Sequence, residues 1–404
     1  MSNFELISSI SKKTSSKIVF LVVDGLGGLI HHDIGMTELE AASTPNLDRL
    51  ARTGTTGLTI PVEHGVTPGS GPGHLALFGY DPFKYQIGRG ILEALGLEMQ
   101  VGQNSIAGRG NYCLLDAEGK ITDRRAGRLS TEQNLELTET LSNINIDGAT
   151  IDIKAGKEHR AAIVFNPTND AKFSDQITDS DPQQTNVFPN QVKAITKNAS
   201  ETASIIQSFL EQANTILRES SEANGIILRG FSSKPKIPLM KKIYKLNPVC
   251  IASYPMYKGL SQMLGMSVAP TGDTFADQLD TLEDQWENHD FFFVHYKPTD
   301  SAGEDGNFTE KVNALESLDQ ELPKILQLDP DVLVVAGDHS TPSVMAGHSW
   351  HPVPFVISSA MNQNGETEKF TEREAKKGAL GTIQATDLMP LALAHSGKLE
   401  KFGA

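Results

Sequence analysis

The chain has 404 residues, 39% hydrophobic and 21% charged, with a formal net charge of −15. Its length exceeds one ordinary core and predicts two domains. The composition excludes a disordered chain, and the acidic balance excludes a nucleic-acid binder, because phosphate backbones demand a positive face.

From the start, Met1 to Ser16 is polar and lacks a secretory apolar region. The run Lys17-Ile-Val-Phe-Leu-Val-Val23 is too short to span a bilayer and stops at Asp24. The two cysteines, Cys113 and Cys250, are far apart and argue for a reducing compartment. A cytoplasmic protein without a membrane partner is expected. Ile18–Val23 reads as a strand buried on both faces of a parallel sheet. Next comes His64-Gly-Val-Thr-Pro-Gly-Ser-Gly-Pro-Gly-His-Leu-Ala-Leu77, a Gly/Pro-rich loop around Ser70, with a short helix predicted from near Gly73. The polar stretch Asn166–Asn190, with three prolines, reads as a loop or lid. Ala199–Arg218 carries apolar residues at helical spacing. Lys234-Pro-Lys-Ile-Pro238 is a break. Phe291–His295 is a second buried strand, Glu310–Leu326 a second amphipathic helix, and Val332–Ala336 a third buried strand. Strands alternating with helices predict an α/β fold with a mostly parallel sheet flanked by helices. The strand signals fall at the two ends of the chain. A discontinuous main domain over 1–85 and 266–404 is therefore expected, with an α+β substrate domain inserted over 86–265.

Each buried strand runs into acids. The first meets Asp24, the second leads to Asp300 and Glu304, and the third ends at Asp338-His339, with His348 shortly after. In an open parallel sheet, ligands bind at the carboxyl ends of the strands. Carboxylates gathered there repel one another unless cations neutralise them. One Asp at a strand end is commonplace; three strands ending this way point to two divalent ions. Oxygen and nitrogen donors without thiolate suit manganese, magnesium or zinc. Ser70 lies among glycines that let backbone approach a phosphate, ahead of a helix start that offers N–H groups. A cation beside it would acidify its hydroxyl and make it a nucleophile. Alone, this motif is only a Gly/Pro-rich turn; with the acids it suggests phosphoryl transfer. The cluster Asp123-Arg124-Arg125-Ala-Gly-Arg128, with Arg89, Arg160, Arg229 and Lys258, supplies positive groups for an anionic substrate.

Several stretches resemble the archaeal-type, cofactor-independent phosphoglycerate mutases of the alkaline phosphatase superfamily. They are Val-Asp-Gly at 23–25, Pro-Gly-Ser-Gly-Pro-Gly-His-Leu at 68–75, Leu-Phe-Gly-Tyr-Asp-Pro at 77–82, Gly-Arg-Gly at 88–90 and Asp-Arg-Arg-Ala-Gly-Arg at 123–128. Further along are Glu-His-Arg at 158–160, Thr-Asp-Ser-Ala-Gly at 299–303, Gly-Asp-His-Ser-Thr-Pro at 337–342 and His-Pro-Val-Pro at 351–354. Phe370-Thr-Glu-Arg-Glu-Ala and Thr386-Asp-Leu-Met-Pro complete the resemblance, which spans nearly the whole chain. It implies an alkaline-phosphatase-like metal-binding core with an inserted substrate domain. It also implies interconversion of 3-phosphoglycerate and 2-phosphoglycerate without bisphosphoglycerate. By position, Ser70 matches the phosphorylated nucleophile. Asp24, Asp338 and His339 match ligands of the metal that also holds this serine. Asp300, residue 304 and His348 match ligands of the other, with His348 preferred to His351. Where the family pattern has Asp-x-x-x-His, this chain has Asp300-Ser-Ala-Gly-Glu304, which implies an altered metal preference.

Arg125, Arg128, Arg160 and Lys258 are the candidate groups for gripping the phosphate and carboxylate of a small phosphorylated hydroxy acid. Asp123, His159 and Asp181 remain open as the proton-transferring group, and the chain reads equally as monomer or homo-oligomer. The competing activities are another metal-dependent phosphomutase or phosphatase on the same core, and a non-catalytic relative marked by Glu304. A dinucleotide-binding enzyme is disfavoured, because Ile30 stands where Gly25-Leu-Gly27-Gly-Leu-Ile30 needs its third glycine and Asp24 would face a pyrophosphate.

Overall fold

The computed structural model describes residues 4–127, 129–363 and 365–403. The chain forms two compact units: residues 1–86 with 237–254 and 261–404, and residues 87–236 with 255–260.

The first unit is built on an eight-stranded sheet. In spatial order its strands are Thr382–Gln384, Thr55–Ile60, Val353–Ser359, Val332–Ala336, Ile18–Val23, Phe291–Tyr296, Pro248–Ile251 and Ser267–Val268. All run in one direction except Val353–Ser359, which is antiparallel to both neighbours. The three strands expected from apolar runs are adjacent at its centre and buried along their whole length. β-branched and aromatic residues fit this setting because both faces are covered. On one side, Val19, Leu21, Val23, Phe292, Val294, Leu333 and Val335 pack against Leu315, Leu318, Leu322 and Ile325 of the helix Phe308–Gln327. The reversed strand has a simple effect on delivery. Val353 sits at the same end as the carboxyl tips of its parallel neighbours, so the residues leading into it arrive there too.

The helix Ser70–Leu77 starts at Ser70, three residues before the expected position. Sequence signals fail here because Gly71, Pro72 and Gly73 are poor helix formers. Tertiary packing supplies the reason for Gly73: a Cβ on it would lie 2.3 Å from the Asp338 carbonyl oxygen.

The second unit carries a five-stranded antiparallel sheet of Ile106–Leu115, Ile121–Asp123, Ala149–Ala155, Arg160–Pro167 and Gly225–Ser233. The helices Thr131–Leu141 and Ser200–Leu217 bury Leu137, Leu141, Ile206, Phe209 and Leu210 in one core with Ile163, Phe165 and Ile226. Ser130 caps the first of these helices in a reciprocal capping box with Gln133. No helix among the described residues is long and apolar enough to cross a membrane.

Candidate functional site

Asp24 follows its strand directly, and Gly25 turns the chain in the left-handed region (φ 67°), where a Cβ would meet Thr341 Oγ1 at 2.6 Å. Gly25 N donates to Asp338 Oδ1 at 3.2 Å. These contacts place Asp24, Asp338 and His339 together, all fully buried, with one donor atom of each within 4.8 Å of the others. Asp300, His339 and His348 form a second such group. His339 Nε2 lies 3.1 Å from Asp338 Oδ2, 3.4 Å from Asp24 Oδ1 and 3.2 Å from Ser70 Oγ. Its orientation follows from Thr341, whose hydroxyl donates to Asp300 Oδ1 at 2.6 Å. Having donated its proton there, Thr341 Oγ1 accepts from His339 Nδ1 at 3.0 Å, which turns the Nε2 lone pair toward Ser70 and the carboxylates.

Three residues that the sequence reading missed complete this centre. His295 Nε2 donates to Asp24 Oδ2 at 3.0 Å, and His74 Nδ1 lies 3.1 Å from Asp338 Oδ2. Lys297 Nζ contacts Asp24 Oδ2 at 3.2 Å and donates a short hydrogen bond to Asp300 Oδ2. A histidine in an apolar strand or helix reads as core, and only the acids on other strands reveal these roles. Burial pushes the Asp24 carboxyl up, but His295, Lys297 and His339 outweigh it and hold it well below the usual range. Asp300 goes the other way, raised by burial and by the charge of Asp24. Burial lowers His348, while Glu304, the Pro68 carbonyl and Asp300 raise it to about 9.

This centre still carries surplus negative charge in a buried place, and its donors are oxygens and imidazole nitrogens. The donor set therefore fits hard or borderline divalent cations such as magnesium, manganese or zinc. Glu304 is outside both tight groups; its carboxylate is 54% exposed and 3.4 Å from His348 Nε2.

In the second unit, Arg109 and Asn111 alternate onto one face of their strand, where Asn111 pairs with Arg160 and Arg109 with Arg229. His159 adjoins them, 3% exposed. Arg109 Nε, Asn111 Oδ1, His159 Nδ1 and Arg160 Nε are buried without hydrogen-bond partners among the described residues. The like charges and the unsatisfied Nε–H donors of Arg109 and Arg160 suit an anion. Burial, then the charges of Arg160 and Arg109, lower His159 to about 4. Burial, together with the other arginines, lowers Arg109 to about 10 despite Glu93. Of the other open proton-transfer candidates, Asp181 accepts both Arg124 Nε (3.0 Å) and Nη2 (2.7 Å). Asp123 accepts the N–H groups of Arg125 and Gly127 and shapes that turn. Arg125 is exposed and Lys258 half-buried, while Arg128 lies outside the described residues. Arg109 and Asn111 were missed because single polar residues in a strand carry no motif.

The family described as 2,3-bisphosphoglycerate-independent phosphoglycerate mutase matches residues 51–222. A protein of Aquifex aeolicus named "Probable 2,3-bisphosphoglycerate-independent phosphoglycerate mutase" is 52% identical, over 99% of this chain and 100% of its own. Among solved structures, a protein of Pyrococcus horikoshii matches with a TM-score of 0.83 and 26% identity, over 96% of this chain and 99% of that one. The cofactor-independent phosphoglycerate mutase of Thermoplasma acidophilum matches with a TM-score of 0.71 and 28% identity, over 94% of this chain and 100% of that one.

Proposed function

Because the chain belongs to the 2,3-bisphosphoglycerate-independent phosphoglycerate mutase family, an isomerase family, we propose that it interconverts 3-phosphoglycerate and 2-phosphoglycerate through a phosphoserine on Ser70. Two divalent ions and no bisphosphoglycerate take part. The observation that carries this reading is the placement of Ser70 Oγ, 3.2 Å from His339 Nε2 and at the first residue of its helix.

Asp24, Asp338 and His339 are the residues that would hold one ion beside Ser70, and Asp300 and His348, with Glu304 at the edge, the other. Bound ions would offset charge on the phosphoryl oxygens and make the serine hydroxyl easier to deprotonate. Ser70 Oγ attacks the substrate phosphorus in line, forming its O–P bond as the substrate's ester O–P bond breaks and the departing oxygen takes a proton. At the helix start the N–H groups of Ser70 and Gly71 have no intrahelical acceptors and would face the developing negative charge. In the second half-reaction the other glycerate hydroxyl attacks the phosphoserine, loses its proton and restores free Ser70.

The reading assigns the hold on the glycerate carboxylate and phosphate to Arg109, Arg125, Arg128, Arg160 and Lys258 of the second unit. It assigns the proton exchange to His159, whose imidazole is neutral in the absence of an anion and would be raised by a bound trianion. Asp181 is already committed to Arg124.

The test is mass spectrometry of protein quenched in acid after mixing with 3-phosphoglycerate, beside an assay coupled to enolase. The expected result is one phosphate on Ser70 and formation of 2-phosphoglycerate. Release of inorganic phosphate with no 2-phosphoglycerate would instead identify a phosphatase.

A further inference from the structure

Lys311 belongs to the core-facing side of the helix Phe308–Gln327 and is 0% exposed. A lysine is rarely found there unless it is satisfied. Its Nζ donates to the Gly27 carbonyl at 2.9 Å and to the Thr341 carbonyl at 2.8 Å. Gly27 lies three residues after Asp24, and Thr341 two residues after His339. Gly27 O also accepts from Thr341 N at 3.0 Å, so the two loops are joined twice at this point. Thr341 is the residue whose hydroxyl bridges Asp300 and His339.

Two glutamates grip the same loops through their amides. Glu372 Oε1 accepts from Gly28 N at 2.8 Å, and Glu38 Oε1 accepts from Ser343 N at 2.8 Å. A Cβ on Gly28 would lie 1.8 Å from Glu38 Oε2, so a larger residue there would displace that carboxylate. Burial lowers the Lys311 ammonium's pKa, while Glu38 and Glu372 hold it up. Burying the Lys311 and Glu38 side chains completely, with Glu372 half-buried, carries a desolvation cost, and an apolar residue of similar volume would fill the place of Lys311 at lower cost. Nothing in the fold of this helix calls for an ammonium; the two carbonyls do.

We propose that Lys311 is a positioning residue for the metal centre, tying the loop after Asp24 to the loop that carries Asp338, His339 and Thr341, with Glu38 and Glu372 balancing its charge. The inference rests on the reading of those acids and histidines as metal ligands. Two effects of removing Lys311 have opposite signs. Loss of a nearby positive charge favours cation binding through Coulomb's law. Loss of the tie loosens the ligand loops and weakens it, and supporting partners of metal ligands commonly contribute 10–100-fold in affinity.

The experiment is isothermal titration of manganese chloride into full-length, chelator-stripped protein, with the melting temperature of the metal-free forms measured alongside. K311M leaves Glu38 buried without its counter-charge and is a demanding variant, so K311M/E38Q is measured with it. E38Q alone keeps the oxygen that accepts from Ser343 N. The expected result is a manganese Kd raised at least about tenfold in K311M/E38Q and within about threefold of wild type in E38Q. An unchanged or tighter Kd in K311M/E38Q, with only a lowered melting temperature, overturns the proposal and leaves Lys311 a structural residue. Absence of manganese binding by the wild type overturns the metal reading itself, which is a different result from normal wild-type binding with an indifferent variant.

Discussion

The acidic centre of the first unit and the arginine face of the second are both collections of like charges, fully buried in the first and half-buried in the second, and they are treated differently by their surroundings. Around Asp24, Asp300 and Asp338 the chain supplies partial neutralisation, from Lys297, His295 and His74. Unsatisfied polar atoms occur in both places, Asp338 Oδ2 in the first and Arg109 Nε and Arg160 Nε in the second, but among the described residues no carboxylate forms an ion pair with Arg109 or Arg160, Asp181 pairing with Arg124 and Arg229 instead. Under the proposed function the first arrangement keeps ligands in place while cations come and go. The second, by the same proposal, awaits an anion that arrives and leaves once per turnover, so internal ion pairs on its arginines would compete with the substrate. On that reading a resident group and a transient one differ in how much opposite charge the chain keeps beside them.

The most severe way to break this contrast is S70A. Phosphoryl transfer should fall by about 10⁴-fold or more, as for removal of other catalytic nucleophiles, while the Kd for manganese changes far less; comparable losses of both would merge nucleophile and metal site into one structural effect. Arg109→Met should lower kcat/KM by roughly 10²-fold, the value of a charge-assisted hydrogen bond, and leave manganese affinity alone. Without anion the same variant should be more stable than wild type by about 1 kcal/mol, because a desolvated cation among like charges is gone. A destabilised variant in chemical denaturation would show that Arg109 is matched in the resting protein after all.

Chelation acts on the first unit. At a free manganese concentration 100 times Kd, each site adds about 2.7 kcal/mol to stability, so removal by EDTA should lower the melting temperature. No shift on adding back manganese would contradict the cation reading.

A pH dependence sharpens the second region. His159 takes its proton at about 4 in the fold and near 6.5 in the unfolded chain. The unfolded chain therefore binds the proton first, and stability present above pH 6.5 is lost as pH falls toward 4, by about 3 kcal/mol at most. H159Q should flatten this slope in urea titrations across that range. The mildest change is E304H: at a half-exposed edge position it should alter stability by less than about 0.5 kcal/mol, yet move metal preference toward zinc and away from magnesium.

Much of this was legible in the residues. Ile18–Val23, Phe291–Tyr296 and Val332–Ala336 announce themselves because a strand covered on both faces must be apolar throughout, and their acidic exits followed from the way parallel sheets present their carboxyl ends. His74, His295 and Lys297 stayed hidden because their function depends on partners more than 200 residues away or on the fold of the turn after a strand. Lys311 was read simply as part of an amphipathic helix; its two carbonyl acceptors lie on loops far away in the chain. The helix start at Ser70 is hidden for a related reason: the glycines that obscure it locally answer to distant partners, Gly73 lying against the Asp338 carbonyl.

The one reversed strand of the large sheet has a consequence for how this protein tolerates change. A forward strand hands over whatever comes after it, whereas Val353–Ser359 hands over what comes before. Extra residues spliced between 360 and 363 would hang from the far rim and leave chemistry intact; the same splice between 346 and 350 would dislodge His348. Engineers grafting new loops, or evolution doing so, would find those two addresses, one at each end of the same strand, unequal in what they disturb.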